Sequence, residues 1–417
     1  MSAKVGNEDL IAWLTRQIHP QVHFEFKECE IDGKRLVILE VAATHASPVR
    51  FKDFEYIRIG SYKKKLRDHP DHARRLWAVF NEVSFEDSVA MSALDGQEVV
   101  DLIDYPSYFT LLKRRLPDGL PGILEGLSSD SIIHRTADSD DWNISNLGAV
   151  LFARNLSDFP SLKRKALRII RYAGNNRISG REQLGVKGYA SGFAGAVRYL
   201  NGILPMREVM GEALRVDVEV YPPITVRELL ANALVHQGFS QSGNAPMVEV
   251  FDNRVELTNP GLPLVDPARF VDAPPKSRNE RLASLMRRAG VCEERGSGWD
   301  KIAVEVELNQ LPAPKVELPS SSTRVILFGP KTFQDMDKAE RLRAAYLHAC
   351  LRYVAGEQLT NASLRERFGL DQSSGSQISR LISDAVDDEL ITPFDPTANR
   401  RFMKYVPAWS VDGSNSL

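Results

Sequence analysis

The chain has 417 residues, long enough for several domains, and a formal net charge of −2. Its 43% hydrophobic and 26% charged residues are typical of folded globular domains and exclude a largely disordered chain. No stretch of about 18 apolar residues predicts a membrane span, and the three cysteines lack the companions of a zinc site. We therefore expect a multidomain protein of the cytoplasm.

The N-terminal region predicts a small α/β unit. An acidic start precedes an apolar-periodic helix at 10–14, as the helix dipole favours. Two apolar strands around a turn at Asp32 and Gly33 predict a hairpin over 22–41, and a further strand covers 54–59.

Basic residues cluster between positions 58 and 75. Such a cluster is suited to contact nucleic-acid phosphates without reading sequence. A solvated surface helix of mixed charge is the alternative. The candidate nucleic-acid-binding residues are Arg58, Lys63, Lys64 and Lys65.

The region 81–215 carries fewer motifs. Its apolar periodicity predicts helices over 93–103, 105–115 and 190–200, and a buried strand over 167–172. We expect a helical and mixed connector that packs on the domain after it.

Three polar residues lie four positions apart in the helix predicted over 227–236: Glu228, Asn232 and His236. This spacing puts them on one face of the helix. A carboxylate, a carboxamide and an imidazole stacked in this way are suited to hold Mg²⁺ and a polyphosphate. An amphipathic helix with an exposed polar face is the alternative.

Two glycine-containing segments follow this helix. A hairpin over 248–258 ends at Asn259 and Gly261, and Gly296 and Gly298 stand immediately before a further helix. Glycines ahead of a helix let backbone N–H groups approach a phosphate, and the helix dipole attracts its charge.

The segment 336–411 predicts a winged helix-turn-helix, with a recognition helix at 376–382 and a wing at 391–406. Polar side chains on the recognition helix are of the kind that meets base edges or phosphates. A protein–protein module is the alternative. The candidate DNA-binding residues are Gln377, Ser379 and Arg380 in the helix and Arg400 and Arg401 in the wing.

In this order, helix 227–236 and the glycine segments resemble the GHKL ATP-binding domains of gyrase and histidine kinases. The closer resemblance is to a divergent branch in bacterial Schlafen-like, AlbA-type regulators, often labelled RecG-related. It implies that Asn232 binds Mg²⁺, that Glu228 is the candidate catalytic base, and that His236 lies near the phosphates.

The same resemblance assigns further nucleotide-binding residues. Asn259 and Gly261 stand where other members read adenine with an aspartate, so recognition here would be neutral. Asn279 would begin the lid, and Gly296 and Gly298 match the second glycine box. The differences from the family pattern therefore favour ATP binding over ATP hydrolysis.

The N-terminal unit resembles the AlbA-type domain of Schlafen-like proteins through the Y-x-R-x-G-S segment that begins at Tyr56. The family places this segment on a nucleic-acid-binding surface. The opening E-F-K strand of such domains is expected before residue 1, so we expect only the second half of the domain. That leaves nuclease activity unsupported.

Together these patterns predict an α+β fold with domains at 1–80 (partial AlbA-like), 81–215 (connector), 216–332 (GHKL-like) and 336–411 (winged helix). The function favoured is an ATP- and Mg²⁺-binding regulator in transcription or antiviral defence, in which nucleotide controls conformation or DNA binding. A slow ATPase switch, or an RNA-binding scaffold with a vestigial pocket, is the alternative. The resemblance also implies a homodimer.

Overall fold

A computed structural model of the chain describes residues 4–6, 8–19, 24–31, 34–41, 48–80, 85–136, 139–210, 215–239, 245–292, 298–399 and 402–412. The protein is α+β, as predicted. The chain divides into two compact units, Met1–Ser84 and Phe85–Leu417. No helix among the described residues has both the length and the apolar character needed to cross a membrane.

The described part of the first unit contains short strands and two α-helices. Its elements are β1 (Lys4–Val5), β2 (Glu8–Asp9), α1 (Leu10–Gln17), β3 (Ile18–His19), β4 (Phe24–Ile31), β5 (Lys34–Val41), β6 (Arg50–Phe51), β7 (Phe54–Ile59), β8 (Tyr62–Lys65) and α2 (Pro70–Phe80). Strands β3, β6, β7 and β8 form one antiparallel sheet, while β4 and β5 form the predicted hairpin. The predicted turn at Asp32 and Gly33 lies outside the described residues.

The second unit begins with the mixed region predicted as a connector. Its elements are β9 (Val89–Leu94), α3 (Gly96–Leu102), α4 (Tyr105–Leu111), α5 (Leu120–Ser129), β10 (Ile133–Arg135), β11 (Trp142–Ser145), α6 (Asn146–Phe152), β12 (Leu167–Tyr172), β13 (Gly180–Gly185), α7 (Tyr189–Ile203), β14 (Met206–Met210) and β15 (Arg215–Glu219).

The remaining elements complete a central sheet and a C-terminal helical region. They are α8 (Pro223–Val235), β16 (Met247–Val250), β17 (Arg254–Pro260), α9 (Glu280–Arg288), α10 (Gly298–Leu308), β18 (Lys315–Glu317), β19 (Ser322–Phe328), α11 (Lys338–Val354), α12 (Asn361–Arg367), α13 (Gly375–Asp387), β20 (Ile391–Pro393), β21 (Tyr405–Pro407) and α14 (Trp409–Asp412).

Within the described residues, the central sheet has six strands in the order β13-β12-β16-β17-β19-β18, and β12 and β16 are its only parallel neighbours. Side chains alternate between its two faces. Val255 and Leu257 of β17 are buried in the main core, which α8 also joins. Glu256, between them, instead pairs with Arg254 at 2.6 Å and with Arg177 at 2.7 Å.

A second hydrophobic core lies among the C-terminal helices. Ile378, Leu381 and Ile382 of α13 are buried there. Val271 and Ala303, which precede this region in the chain, belong to the same core. The C-terminal helices are therefore packed directly on the sheet-and-helix part of the second unit.

The helix predicted over 93–103 is wrong at its start. Leu94 pairs with Trp142 in a sheet, so the chain is a strand up to that point. Helix α3 begins only at Gly96, because the side chain of Asp95 accepts a 2.8 Å hydrogen bond from the N–H of Glu98 and caps it.

Two other predicted elements are too long. The helix predicted over 105–115 ends at Leu111, and Lys113 adopts a left-handed φ of 55°. The apolar segment 316–328 predicts a single strand from its sequence, but the structure has two strands there, β18 and β19, separated by a turn in which Ser320 has a φ of 55°.

Candidate functional site

A cavity of about 460 Å³ lies between α8 and the central sheet. This volume is within the usual range for small-molecule sites, roughly 300–1,000 Å³. Its lining includes five of the residues predicted for nucleotide binding: Glu228, Asn232, His236, Asn259 and Gly298.

Helix α8 supplies one wall of the cavity. It begins with Pro223 at its first position, where the missing N–H costs nothing. Glu228 is only 1% exposed, whereas Asn232 is partly exposed and His236, at the C-terminal end, is exposed. The alternative of an exposed polar face is therefore wrong for Glu228, whose carboxylate lies inside the protein.

A buried carboxylate requires charged or hydrogen-bonding partners, because the transfer of a charged group from water into the protein interior costs free energy. Glu228 forms an ion pair with the adjacent Arg227. The same guanidinium donates 2.9 Å hydrogen bonds to the carbonyl oxygens of Gly290 and Val291, just after α9. Arg227 thus fixes the candidate base and ties α8 to the end of α9.

Gly298, the first residue of α10, approaches α8 very closely. A Cβ atom added to it would lie 3.1 Å from Oε2 of Glu228 and 3.6 Å from the amide atoms of Asn232. A glycine therefore lets the N-terminus of α10 meet these two side chains. This terminus carries the positive end of the helix dipole and free N–H groups, which suits an anion.

Strands β17 and β19 form the floor of the cavity. Asn259 pairs with Thr323 across these strands, and each is 8% exposed. The Asn259 amide donates a 3.2 Å hydrogen bond to the carbonyl oxygen of Pro260. Thr323 donates a 2.7 Å hydrogen bond to the carbonyl oxygen of Gly261, whose φ of 103° strongly favours glycine. Gly261 does not line the cavity itself, but its carbonyl oxygen holds the Thr323 side chain in the floor.

The guanidinium of Arg278 lies beside this turn and donates to the carbonyl oxygen of Leu262. Although His236 is exposed overall, the protein atoms around its imidazole keep part of the ring from water. This desolvation lowers the pKa of His236 from its ordinary 6.5, and the positive charge of Arg278 lowers it further. The imidazole is therefore mainly neutral at pH 7.

Asn279 has a different setting from the one predicted. It is 5% exposed and does not line the cavity. Its side-chain amide donates hydrogen bonds to the carbonyl oxygens of Val235 at 2.7 Å and Gln237 at 2.8 Å. These contacts join the start of α9 to the end of α8. Gly296 lies outside the described residues.

The segment 263–278 forms the wall opposite α8. Its Phe270 packs edge-on against Trp299 of α10, with ring centroids 4.9 Å apart, and both rings line the cavity. Arg269, the preceding residue, places its guanidinium 4.0 Å from the ring centre of Trp409 in α14. The same segment therefore contacts the cavity on one side and the C-terminal region on the other.

Helix α10 makes a second connection to the C-terminal helices. Near its end, the carboxylate of Glu307 lies 3.0 Å from Nδ1 of His348 on α11 and 3.4 Å from Nε of Arg367 on α12. Since Gly298 begins the same helix, α10 links the cavity to this cluster.

Several cavity residues were missed by the sequence analysis: Thr323, Arg278, Phe270, Trp299 and Cys292. Burial raises the pKa of the Cys292 thiol to about 11, so it is protonated at neutral pH. Sequence spacing does not identify these five residues as site residues, because they reach the cavity through tertiary packing.

The predicted basic cluster of the first unit is divided between two faces of the β7–β8 hairpin. Lys63 pairs with Arg58, whereas Lys64 pairs with Ile57. Partners in an antiparallel pair share a face and neighbours alternate, so Lys64 lies on the face opposite Lys63 and Lys65. The ammonium of Lys65 lies 3.9 Å from the ring centre of Phe54.

On α13, the predicted contact residues Gln377, Ser379 and Arg380 are all exposed. The hydroxyl of Ser379 accepts a 3.0 Å hydrogen bond from the side-chain amide of Asn361, at the start of α12. Arg400 and Arg401 lie outside the described residues.

Two family models match the chain. One, described as "Schlafen, AlbA_2", matches residues 2–67, and the other, described as "Putative ATP-dependent DNA helicase recG C-terminal", matches residues 243–327. The second range contains Asn259 and Gly298 and begins after α8. The protein thus combines an AlbA-like region with a HATPase-like domain. These two matches confirm the resemblance to AlbA-type and RecG-related proteins that the motifs predicted.

Among solved structures, the DIP2311 protein from Corynebacterium diphtheriae aligns with a TM-score of 0.44 and 15% identity, over 97% of this chain and 84% of that chain. No curated protein sequence matches this chain significantly.

Proposed function

We propose that the cavity binds ATP with Mg²⁺ and that its occupancy controls nucleic-acid binding by the same chain. The observation that carries this proposal is the shared wall: the segment that closes the cavity is also packed on the C-terminal helices. A ligand that orders or displaces this wall therefore acts on both sites.

The residues present fit a magnesium nucleotide. The side-chain oxygen of Asn232 is a suitable ligand for Mg²⁺, which prefers oxygen and keeps several waters. The N-terminus of α10 at Gly298 would receive phosphate, and the amide of Asn259 would meet the base with the Thr323 hydroxyl nearby. Mg²⁺, when bound, would neutralise part of the phosphate charge.

The setting of Glu228 favours binding over rapid turnover. A general base must reach the attacking water through a hydrogen bond, and a carboxylate engaged by a guanidinium is less available for that contact. Arg227 occupies this carboxylate. We therefore propose a nucleotide-responsive regulator with slow or absent hydrolysis.

The C-terminal region is proposed as a winged helix. Helices α11, α12 and α13 are followed by the antiparallel pair β20–β21, in the order such domains require. The exposed Gln377 and Arg380 would then face DNA. The AlbA-like unit supplies a second candidate surface, on which DNA and RNA are both candidate ligands.

The first experiment is titration of a fluorescent ATP analogue with Mg²⁺ into the full chain and into Asn232→Ala. We expect micromolar binding that the substitution weakens at least tenfold, and DNA affinity that changes when ATP is added. Absence of binding to the wild-type chain would overturn the nucleotide proposal. Binding with unchanged DNA affinity would overturn only the coupling.

Slow hydrolysis is tested separately, by phosphate release from the wild type and from Glu228→Gln. Turnover abolished in the variant, with nucleotide binding retained, would identify the ATPase switch as the function instead.

A further inference from the structure

Strand β5 carries an unusual run of exposed apolar residues. Leu36, Val37, Ile38 and Leu39 follow one another and are between 45% and 58% exposed. Because successive residues of a strand point to opposite faces, both faces of the hairpin are apolar at this point. An exposed apolar strand of this kind readily accepts another strand.

The free edges of β4 and β5 differ in how readily each would pair with an additional strand. Among the residues that the structure describes, β4 and β5 pair only with each other, so each has one free edge. The sequence of β4, FEFKECEI, carries four charged residues along its length, a common protection of edges. The centre of β5, KRLVILEV, has no charge from Leu36 to Leu39.

We propose that β5 pairs with β5 of a second copy of this chain, in antiparallel orientation, to form a four-stranded sheet across a two-fold axis. Such an axis is perpendicular to the sheet, so a given face of one hairpin lies on the same side of the sheet as the equivalent face of its partner. Paired residues must then both be odd-numbered or both be even-numbered, since the faces alternate.

One register pairs opposite charges with each other and also pairs apolar residues with each other. With Val37 opposite the partner's Val37, Leu36 faces the partner's Ile38 and Lys34 faces the partner's Glu40. The apolar centre is thus paired with itself, and opposite charges meet at both ends. Opposite charges across a strand pair stabilise it, and like charges destabilise it.

The competing arrangements are less favourable. Moving the axis by one residue, to Ile38, places Leu36 opposite the partner's Glu40 and loses the ion pair. Self-pairing of β4 centred on Lys27, Glu28 or Cys29 places like charges opposite each other, and centring it on Phe26 places Phe24 opposite the partner's Glu28. Charge and hydrophobicity together therefore favour the β5 edge and the register centred on Val37.

Disulfide trapping tests this register in the full chain with Cys29→Ser, which removes the native thiol of the hairpin. Residues directly opposite in an antiparallel pair lie about 4.5–5.5 Å apart at Cα, within disulfide range. Val37→Cys should form a covalent dimer on mild oxidation. Leu39→Cys is the matched control, because it faces the partner's Arg35 and should remain uncrosslinked.

A mass measurement gives an independent result. We expect light scattering of the wild-type chain to give twice the 46.7 kDa chain mass. Val37→Lys should give the monomer mass with an unchanged circular dichroism spectrum, because two lysines would face each other. Ile178→Lys, which adds the same charge at a residue 87% exposed in the second unit, should leave the dimer intact.

A monomeric wild type, a Val37→Lys variant that stays dimeric, or equal crosslinking of Val37→Cys and Leu39→Cys would each overturn the proposal. Crosslinking of Ile38→Cys in place of Val37→Cys would overturn the register. None of these measurements depends on nucleotide binding.

Discussion

The hydroxyl of Tyr346 donates a 2.7 Å hydrogen bond to the carbonyl oxygen of Ala268 and so joins α11 to the wall of the cavity. The same hydroxyl accepts a 2.9 Å hydrogen bond from the indole N–H of Trp409. One side chain thus holds together the segment that closes the cavity, the first C-terminal helix and the last helix. A change in the wall would reach the C-terminal region through this contact.

Replacing Tyr346 with phenylalanine should weaken this connection. The variant loses the hydrogen bond to Ala268 and removes the acceptor of the Trp409 N–H, at a cost of about 1–2 kcal/mol in unfolding free energy. We expect ATP to bind still but to change DNA affinity less than in the wild type, as measured by anisotropy with and without ATP.

The matched control is Tyr353→Phe. Tyr353 also packs on Trp409, with ring centroids 5.2 Å apart, and the substitution preserves that ring contact. If Tyr353→Phe and Tyr346→Phe reduce the ATP response equally, the hydrogen bond to Ala268 is not the connection.

Gly298→Ala tests the close approach of α10 to α8. The added Cβ would lie 3.1 Å from the Glu228 carboxylate, so that carboxylate or the helix end must shift by a few tenths of an ångström. We expect nucleotide affinity to fall roughly three- to tenfold, or about 0.7–1.4 kcal/mol, by titration of the fluorescent analogue.

Gly195→Ala in α7 serves as its control, because nothing lies within 4 Å of the new Cβ. Alanine in a helix interior is favoured over glycine by roughly 0.5–1 kcal/mol, so this variant should be slightly more stable and bind nucleotide normally. Normal binding by Gly298→Ala would contradict a phosphate site at the start of α10.

Alanine substitutions of Asn232 and Asn279 should differ in their effects: the first should weaken nucleotide binding, and the second should lower the free energy of unfolding. Asn279→Ala leaves the carbonyl oxygens of Val235 and Gln237 without their buried donor, which costs about 1–3 kcal/mol in unfolding free energy. Asn232→Ala removes a partly exposed side chain and should change that free energy by less than about 0.5 kcal/mol while weakening Mg²⁺-nucleotide binding.

Urea unfolding and nucleotide titration of both variants check this pair. The assignment is wrong if Asn232→Ala is the less stable variant, or if Asn279→Ala loses binding while its unfolding midpoint is unchanged.

The sequence predicted those parts of the site that are local in the chain. The four-residue spacing of Glu228, Asn232 and His236 correctly predicted a helix, and the glycine before the next helix marked Gly298. Burial of Glu228 could not be predicted, because polar spacing alone does not show that α10 covers that face. Asn259 meets Thr323 only because β17 pairs with β19, more than sixty residues later in the chain.

His236 should make stability depend on pH. Partial desolvation of the ring and the positive charge of Arg278 lower its pKa below the ordinary 6.5, so the unfolded chain binds a proton more readily than the folded one. The stability that the neutral imidazole contributes is therefore present above about pH 6.5 and is lost as the pH falls towards the pKa of His236 in the folded protein. We expect the melting temperature to drop between pH 7.5 and 5.5.

His236→Gln isolates this contribution, since every other titrating group is retained. The variant should lose less melting temperature over the same pH range than the wild type does. Parallel curves for the two proteins would show that protonation of His236 is not linked to folding.

The division of the basic cluster predicts that neighbouring lysines differ in nucleic-acid binding. Lys63 and Lys65 share a face of the β7–β8 hairpin with Arg58 and Tyr56, whereas Lys64 lies on the other face with Ile57. If the first face contacts phosphate, Lys63→Gln and Lys65→Gln should each weaken binding and reduce the slope of log K against log salt by about 1. Lys64→Gln removes the same charge and should leave the slope nearly unchanged. Salt titrations with duplex DNA and with single-stranded RNA measure all three variants, and equal slopes for the three would mean that the general positive field, rather than one face, attracts the nucleic acid.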